Sequence, residues 1–136
     1  MTAPTAFALL TGRCGLSQSA AAEVLKVSPS TVDKMTRGVR NTPAGIIDDL
    51  QRLYAMIEKA AEEMLATFAA LPVPAESPIE LGYAADDYEA RQLGWPCVGA
   101  QLASIGIVMA RSPLTFRLVP RGSTPGTAAA MAAHGQ

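Results

Sequence analysis

The sequence predicts a mainly α-helical protein: an N-terminal bundle of four to five helices containing a helix-turn-helix, followed by a small α+β unit. Three observations carry this prediction. Residues 16–38, LSQSAAAEVLKVSPSTVDKMTRG, have the pattern of two short helices across a tight turn. Apolar residues then recur at helical steps from Ile46 to Leu71. The composition, 49% apolar but only 5% aromatic, suits a packed helical chain rather than a disordered one.

In chain order, residues 4–12 (PTAFALLTG) read as a first helix, with Phe7 and Leu10 directed into the core and the Gly12 to Gly15 stretch ending it. Ser17 and Ser28 are strong N-cap residues, each placed before an apolar-periodic segment, and Pro29 takes the favoured first helical position. Ala21, Ala22, Val24 and Leu25 can pack the first helix of the pair, Val32 and Met35 the second. Ala22 is the small residue that two steeply crossing helices need where they touch. After a turn at Gly38 to Thr42, Thr42 as N-cap and Pro43 as first helical residue start a long helix over 43–71, with Asp48 and Asp49 near its positive end. Its apolar positions are Ile46/Ile47, Leu50, Leu53/Tyr54, Ile57, Ala60/Ala61, Met64, Phe68 and Leu71.

Pro72, Pro74 and Pro78 make residues 72–78 a break. Beyond it, 79–83 (IELGY) reads as a strand and 85–93 as a helix with Asp86 and Asp87 in its first turn. Residues 96–104 read as a further helix capped by Gly106, and 107–109 and 114–119 as strands around the Arg111-Ser112-Pro113 turn. The expected organisation is therefore a module over 1–71, a linker over 72–78, a second unit over 79–120 and a disordered tail over 121–136. Residues 118–123 (LVPRGS) also match a thrombin recognition sequence, in which case Leu118-Val119-Pro120 would lie outside the natural fold.

Charge is unevenly spread. The chain as a whole carries −1, but residues 1–43 hold Arg13, Lys26, Lys34, Arg37 and Arg40 against Glu23 and Asp33, a local +3. Residues 44–71 carry −3 and the remainder −1. The positive charge coincides with the helix pair, and a local basic face suffices for phosphate contacts because attraction decays over a Debye length of about 8 Å.

The segment from Leu16 to Gly38 resembles, without a gap, the helix-turn-helix of the lambda repressor/Cro class, also called XRE. Gln18 opens the first helix, Ala22 occupies the crossing position, Leu25 and Val27 flank the turn, Ser28 caps the second helix, and Arg37-Gly38 closes the unit. Two departures stand out. Lys26 occupies the usual turn glycine, so a non-glycine must take the left-handed conformation at a cost of roughly 1 kcal/mol. Met35-Thr36 replaces a common Trp-Glu pair. A second, shorter resemblance, to the anti-CRISPR-associated repressors of phages and mobile elements, rests on Thr42-Pro43, Leu81-Gly82-Tyr83, Asp87-Tyr88, Trp95 and Gln101-Leu102. It implies a homodimer formed through the C-terminal part that binds an inverted repeat and represses its own operon.

On double-stranded DNA the second helix would enter the major groove N-terminus first. Ser30, Thr31 and Lys34 are then the base-reading candidates: Lys34 toward guanine O6/N7, Ser30 and Thr31 toward base edges or phosphate. Pro29 can touch a thymine methyl; Asp33 either accepts from cytosine N4 or restrains Lys34. Gln18, Ser28, Arg37 and Arg40 are the phosphate candidates. One such module offers few base contacts, so pairing of two chains is expected. Met64, Leu65, Phe68, Leu71, Tyr88 and Trp95 are the dimerisation candidates, against the competing reading that the apolar stripe packs internally.

Other classes find less support. The only histidine, His134, lies in the tail, so no Ser/His/Asp or Cys/His set assembles, and no catalytic residue is expected. Neither zinc spacing nor a phosphate loop occurs; no metal or cofactor is expected. Cys14 and Cys97 read as two buried thiols. No long apolar run or signal segment appears, which makes the cytoplasm the default and a membrane an unexpected partner. An antitoxin or adaptor whose C-terminal unit binds a partner protein remains the alternative, and the basic face also leaves RNA open.

Overall fold

The computed structural model describes residues 3–72 and 77–121. In chain order the elements are α1 (Ala6–Arg13), α2 (Gln18–Leu25), α3 (Pro29–Arg37), α4 (Ala44–Ala69), β1 (Ile79–Tyr83), α5 (Asp87–Gln92), α6 (Val98–Arg111) and β2 (Phe116–Pro120). The protein is mainly helical with a small two-stranded parallel sheet. No helix of the described residues is long and apolar enough to cross a membrane.

The first three helices are short and individually capped. Thr5 Oγ1 accepts from the Ala8 amide at 3.1 Å and donates to the Thr36 carbonyl at 3.0 Å, so the cap of α1 also ties it to the end of α3. Ser17 Oγ accepts from the Ala20 amide at 3.1 Å and starts α2. Phe7, Ala21, Ala22, Val32 and Met35 are buried where the three helices meet. The long helix α4 adds Leu50 and Ile57, both fully buried, each removal of such a side chain from water being worth about 1.5–3 kcal/mol.

Cys97 and Ala100 belong to the same buried cluster as Phe7, Cys14, Leu16 and Leu50, so the start of α6 completes the core begun by α1–α3. What permits this approach is a pair of glycines. A Cβ at Gly99 would lie 1.9 Å from the Gly15 carbonyl oxygen, and one at Gly15 would lie 2.1 Å from that of Gly99. Backbone meets backbone there, and no side chain fits at either position. Further along, α6 packs on α4, and the α5–α6 crossover brings β2 beside β1 in parallel, Ile79 opposite Phe116 and Tyr83 opposite Pro120.

Several sequence expectations need correction. The helix expected over 96–104 begins at Val98 and passes through Gly106 to Arg111, so 107–109 are helical rather than a strand. The reason is tertiary: Ala100/Gln101, Ser104/Ile105 and Val108 are buried at helical steps, and that gain outweighs the roughly 1 kcal/mol cost of an internal glycine. With that strand gone, β2 pairs with β1 in parallel instead of forming a hairpin around residues 111–113. Pro43, not Thr42, is the N-cap of α4, and no side chain caps that end. Asp86 is the N-cap of α5 rather than a first-turn residue: its Oδ1 accepts from the Glu89 amide at 2.8 Å. Leu118, Val119 and Pro120 lie in β2, opposite Leu81, Gly82 and Tyr83. Residues 73–76 of the expected linker and 122–136 of the expected tail lie outside the described residues.

Candidate nucleic-acid interface

The candidate interface is the outer face of α3 and the turn before it. Leu25 ends α2, and Lys26 turns the chain with φ 58° and ψ 45°, the left-handed conformation expected there. Ser28 then starts α3. Its Oγ accepts from the Thr31 amide at 3.1 Å and shares a second hydrogen bond, 2.8 Å long, with Thr31 Oγ1. The Thr31 hydroxyl is thereby turned toward the cap, and Thr31 is half-buried.

Helical geometry separates the two faces of α3. Val32 and Met35 are fully buried, while Ser30, Asp33, Lys34 and Arg37 occupy the opposite face, spanning about 10 Å of helix axis. Of these, Ser30, Lys34 and Arg37 are exposed and Asp33 is half-buried. Asp33 does not restrain Lys34. Its Oδ2 accepts from Arg37 Nε at 2.9 Å in an i, i+4 ion pair, and this hydrogen bond, followed by the charge of Asp33, raises the Arg37 pKa above its ordinary value. No described side chain takes a hydrogen bond or ion pair from Lys34, which leaves its ammonium free to reach outward.

At the far end, Gly38 caps α3 with φ 77°, and the Val39 and Arg40 amides both donate to the Lys34 carbonyl, at 2.9 and 3.2 Å. Arg40 is exposed beside this cap. Gln18 is exposed at the first position of α2, and Pro29 is exposed at the first position of α3. The arrangement is a rigid, doubly capped helix presenting hydroxyl, carboxylate, ammonium and guanidinium groups on one side. The Asp33–Arg37 pair was available in the sequence from its four-residue spacing, and the Ser28–Thr31 hydroxyl pair from the cap position.

Of the residues expected to pair two chains, all but Tyr88 line two clefts that share Phe68. Phe68 packs against Phe116 with ring centroids 5.4 Å apart, and Trp95 is half-buried against the core. Met64, Phe68 and Trp95 line one cleft, whereas Leu65 and Leu71 lie with Phe68 beside residues 111–114. Tyr88, 69% exposed, lines neither. The two cysteines are free, buried thiols. Burial, reinforced by Cys97, pushes the Cys14 thiol up to about 11, and burial likewise raises that of Cys97. Among the described residues no group of histidine, cysteine or carboxylate side chains could hold a metal.

No family model matches the chain, and neither does any curated protein or solved structure.

Proposed function

We infer that this protein is a sequence-specific double-stranded DNA-binding repressor of the lambda repressor/Cro type, acting as a homodimer on an inverted repeat. The observation that carries the reading is the outer face of α3. Ser30, Asp33, Lys34 and Arg37 stand together on a helix whose opposite face is fully buried, within residues 1–43, which carry a net +3. Such a helix fits the major groove, which is about 12 Å wide.

The residues then divide by role. Lys34, with no partner of its own, reads guanine; Ser30 and the half-engaged Thr31 reach base edges near the helix start; Pro29 lies against a thymine methyl. Gln18 and the Ser28 turn face phosphates at the N-termini of α2 and α3. Arg40 supplies backbone affinity. Asp33 holds Arg37 and so directs that guanidinium along the helix, toward the backbone rather than the bases. Two copies related by a two-fold axis would place their α3 helices about 34 Å apart, one helical turn of DNA. The resemblance to anti-CRISPR-associated repressors, carried by Thr42-Pro43 and by residues between Leu81 and Leu102, supports an operon of a phage or mobile element as the target.

The test is a gel-shift titration on the DNA upstream of the protein's own gene, beside a scrambled duplex, with salt varied. Tight binding to an inverted repeat and weak binding to the scrambled duplex is the expected result. Equal, weak, salt-labile binding to both would overturn the reading and favour an adaptor or antitoxin.

A further inference from the structure

We propose that the cleft between the second half of α4, β1, Trp95 and α6 binds a small, flat, neutral molecule carrying one carbonyl or equivalent hydrogen-bond acceptor. The cleft has a volume of about 410 Å³, within the range of small-molecule sites. Met64, Phe68, Leu81, Trp95 and Ile105 give it apolar and aromatic walls.

Among the side chains lining it, Gln101 and Trp95 carry N–H donors with no acceptor among the described residues, and the Gln101 amide is the one held in place by a hydrogen bond. That residue is only 9% exposed, and its Oε1 accepts from the Ala84 amide at 2.8 Å, which fixes the orientation of the side-chain amide. Nε2 has no acceptor among the described residues, yet no side-chain nitrogen or oxygen there is both fully occluded and unpartnered. Nε2 is therefore accessible, and the cleft is the space its residue lines. The other hydroxyls in the walls are already engaged. Thr67 Oγ1 donates to the Glu63 carbonyl at 3.0 Å, and Ser104 Oγ donates to the Gln101 carbonyl at 2.6 Å.

These features select the ligand. An accessible N–H held at a fixed orientation in an apolar wall favours an occupant that brings an acceptor, which replaces water with a directed hydrogen bond. Aromatic walls favour a flat ring system. No lysine or arginine lines the cleft, and Glu63 stands in its wall, so an anion would meet a like charge and no partner. A neutral aromatic ketone, amide or lactone satisfies all three conditions.

The site stands apart from the DNA reading and is tested without DNA. Trp95 is the only tryptophan and forms part of the wall, so its fluorescence reports occupancy directly. The full chain is titrated with 2-acetylnaphthalene, with 2-ethylnaphthalene, which lacks the acceptor, and with 2-naphthoate, which carries a negative charge. We expect saturable quenching by the ketone, at least tenfold tighter than by either of the others. Gln101→Glu at pH 8 keeps an oxygen for the Ala84 amide but removes the N–H donor, and should erase the preference for the ketone over the hydrocarbon. Ala60→Phe fills the cleft from α4 and should abolish quenching while circular dichroism stays native. Equal affinity for ketone and hydrocarbon, quenching unaffected by Ala60→Phe, or no saturable quenching by any of the three would overturn the assignment. So would light scattering that shows a second copy covering the cleft and displaced by neither compound.

Discussion

Lys26 is the only non-glycine among the described residues with a positive φ, and it sits in the turn that sets the angle between α2 and α3. A lysine there pays for a conformation that glycine adopts freely, while its exposed side chain makes no described contact that would offset the cost. Lys26→Gly should therefore stabilise the fold by about 1 kcal/mol, read as a higher midpoint in urea. DNA affinity should fall only slightly, through one lost charge. Lys34 poses the opposite case, a residue whose freedom has no structural benefit. Lys34→Ala should leave the urea midpoint unchanged and cost about 1–3 kcal/mol of binding at one base position. A uniform loss over all operator variants would return Lys34 to the backbone. Cys14 makes a prediction about pH. Its folded pKa, about 11, lies above the unfolded value near 9.0, so the native state holds the proton more tightly. Both states are protonated below pH 9 and this contribution is fully present; between pH 9 and 11 the unfolded thiol ionises first and stability falls. Cys14→Ala should flatten that part of the stability-versus-pH curve, at the cost of a lower plateau.

Helix α6 is the element whose sequence and structure disagree most, and two of its glycines make opposite predictions. A Cβ at Gly106 meets nothing within 4 Å, and the backbone there is ordinary helix, so Gly106→Ala should stabilise by about 0.5–1 kcal/mol. At Gly99 the same added methyl would collide with the Gly15 carbonyl, and Gly99→Ala should destabilise by about 1–3 kcal/mol or more. Thermal melts of the two variants separate the cases; a stabilising Gly99→Ala would mean that α6 is not seated on the end of α1. This contrast also explains what was legible in the sequence. Ser17, Ser28, Val32 and Met35 act through neighbours within a turn or two, so caps and buried positions of α2 and α3 could be read locally, as could the strand at 79–83. Gly106 looks like a helix stop for the same local reason, and only the buried run from Ala100 to Val108 carries the helix past it. The Gly15–Gly99 approach and the parallel pairing of β1 with β2 join positions dozens of residues apart, for which single-sequence periodicity holds no signal. Within the candidate interface, the exposure of Ser30, Lys34 and Arg37 followed from the 3.6-residue period. The pairing of Asp33 with Arg37 in place of Lys34 follows the i, i+4 spacing, a signal the sequence held and the expectation of a restraint on Lys34 passed over.

For the whole molecule, the charge distribution decides how binding should respond to salt. The acidic stretch of residues 44–71, at −3, and the basic stretch of residues 1–43, at +3, share one continuous core through Leu50 and Ile57. Beyond a Debye length of about 8 Å the molecule looks nearly neutral, so on the proposed DNA-binding reading long-range attraction would be weak and affinity would come from close phosphate contacts. Each such contact makes the plot of log K against log salt steeper by about 0.9. Arg40 is exposed, lies beside the α3 cap and makes no described ion pair, so its removal should delete one phosphate contact per chain without touching the core. A bound monomer with Arg40→Ala would then show a slope shallower by about 0.9, and a bound homodimer one shallower by about 1.8. Fluorescence anisotropy on a full inverted repeat across a salt series reads that difference. The same measurement on a single half-site supplies the monomer value as an internal reference. A change of about 1.8 on the full repeat supports two chains, each contributing its own α3. A change near 0.9 on both duplexes would leave the DNA reading standing and overturn the dimer. No change on either would show that Arg40 does not meet the backbone, and the phosphate contacts would have to be sought at Gln18, Ser28 and Arg37.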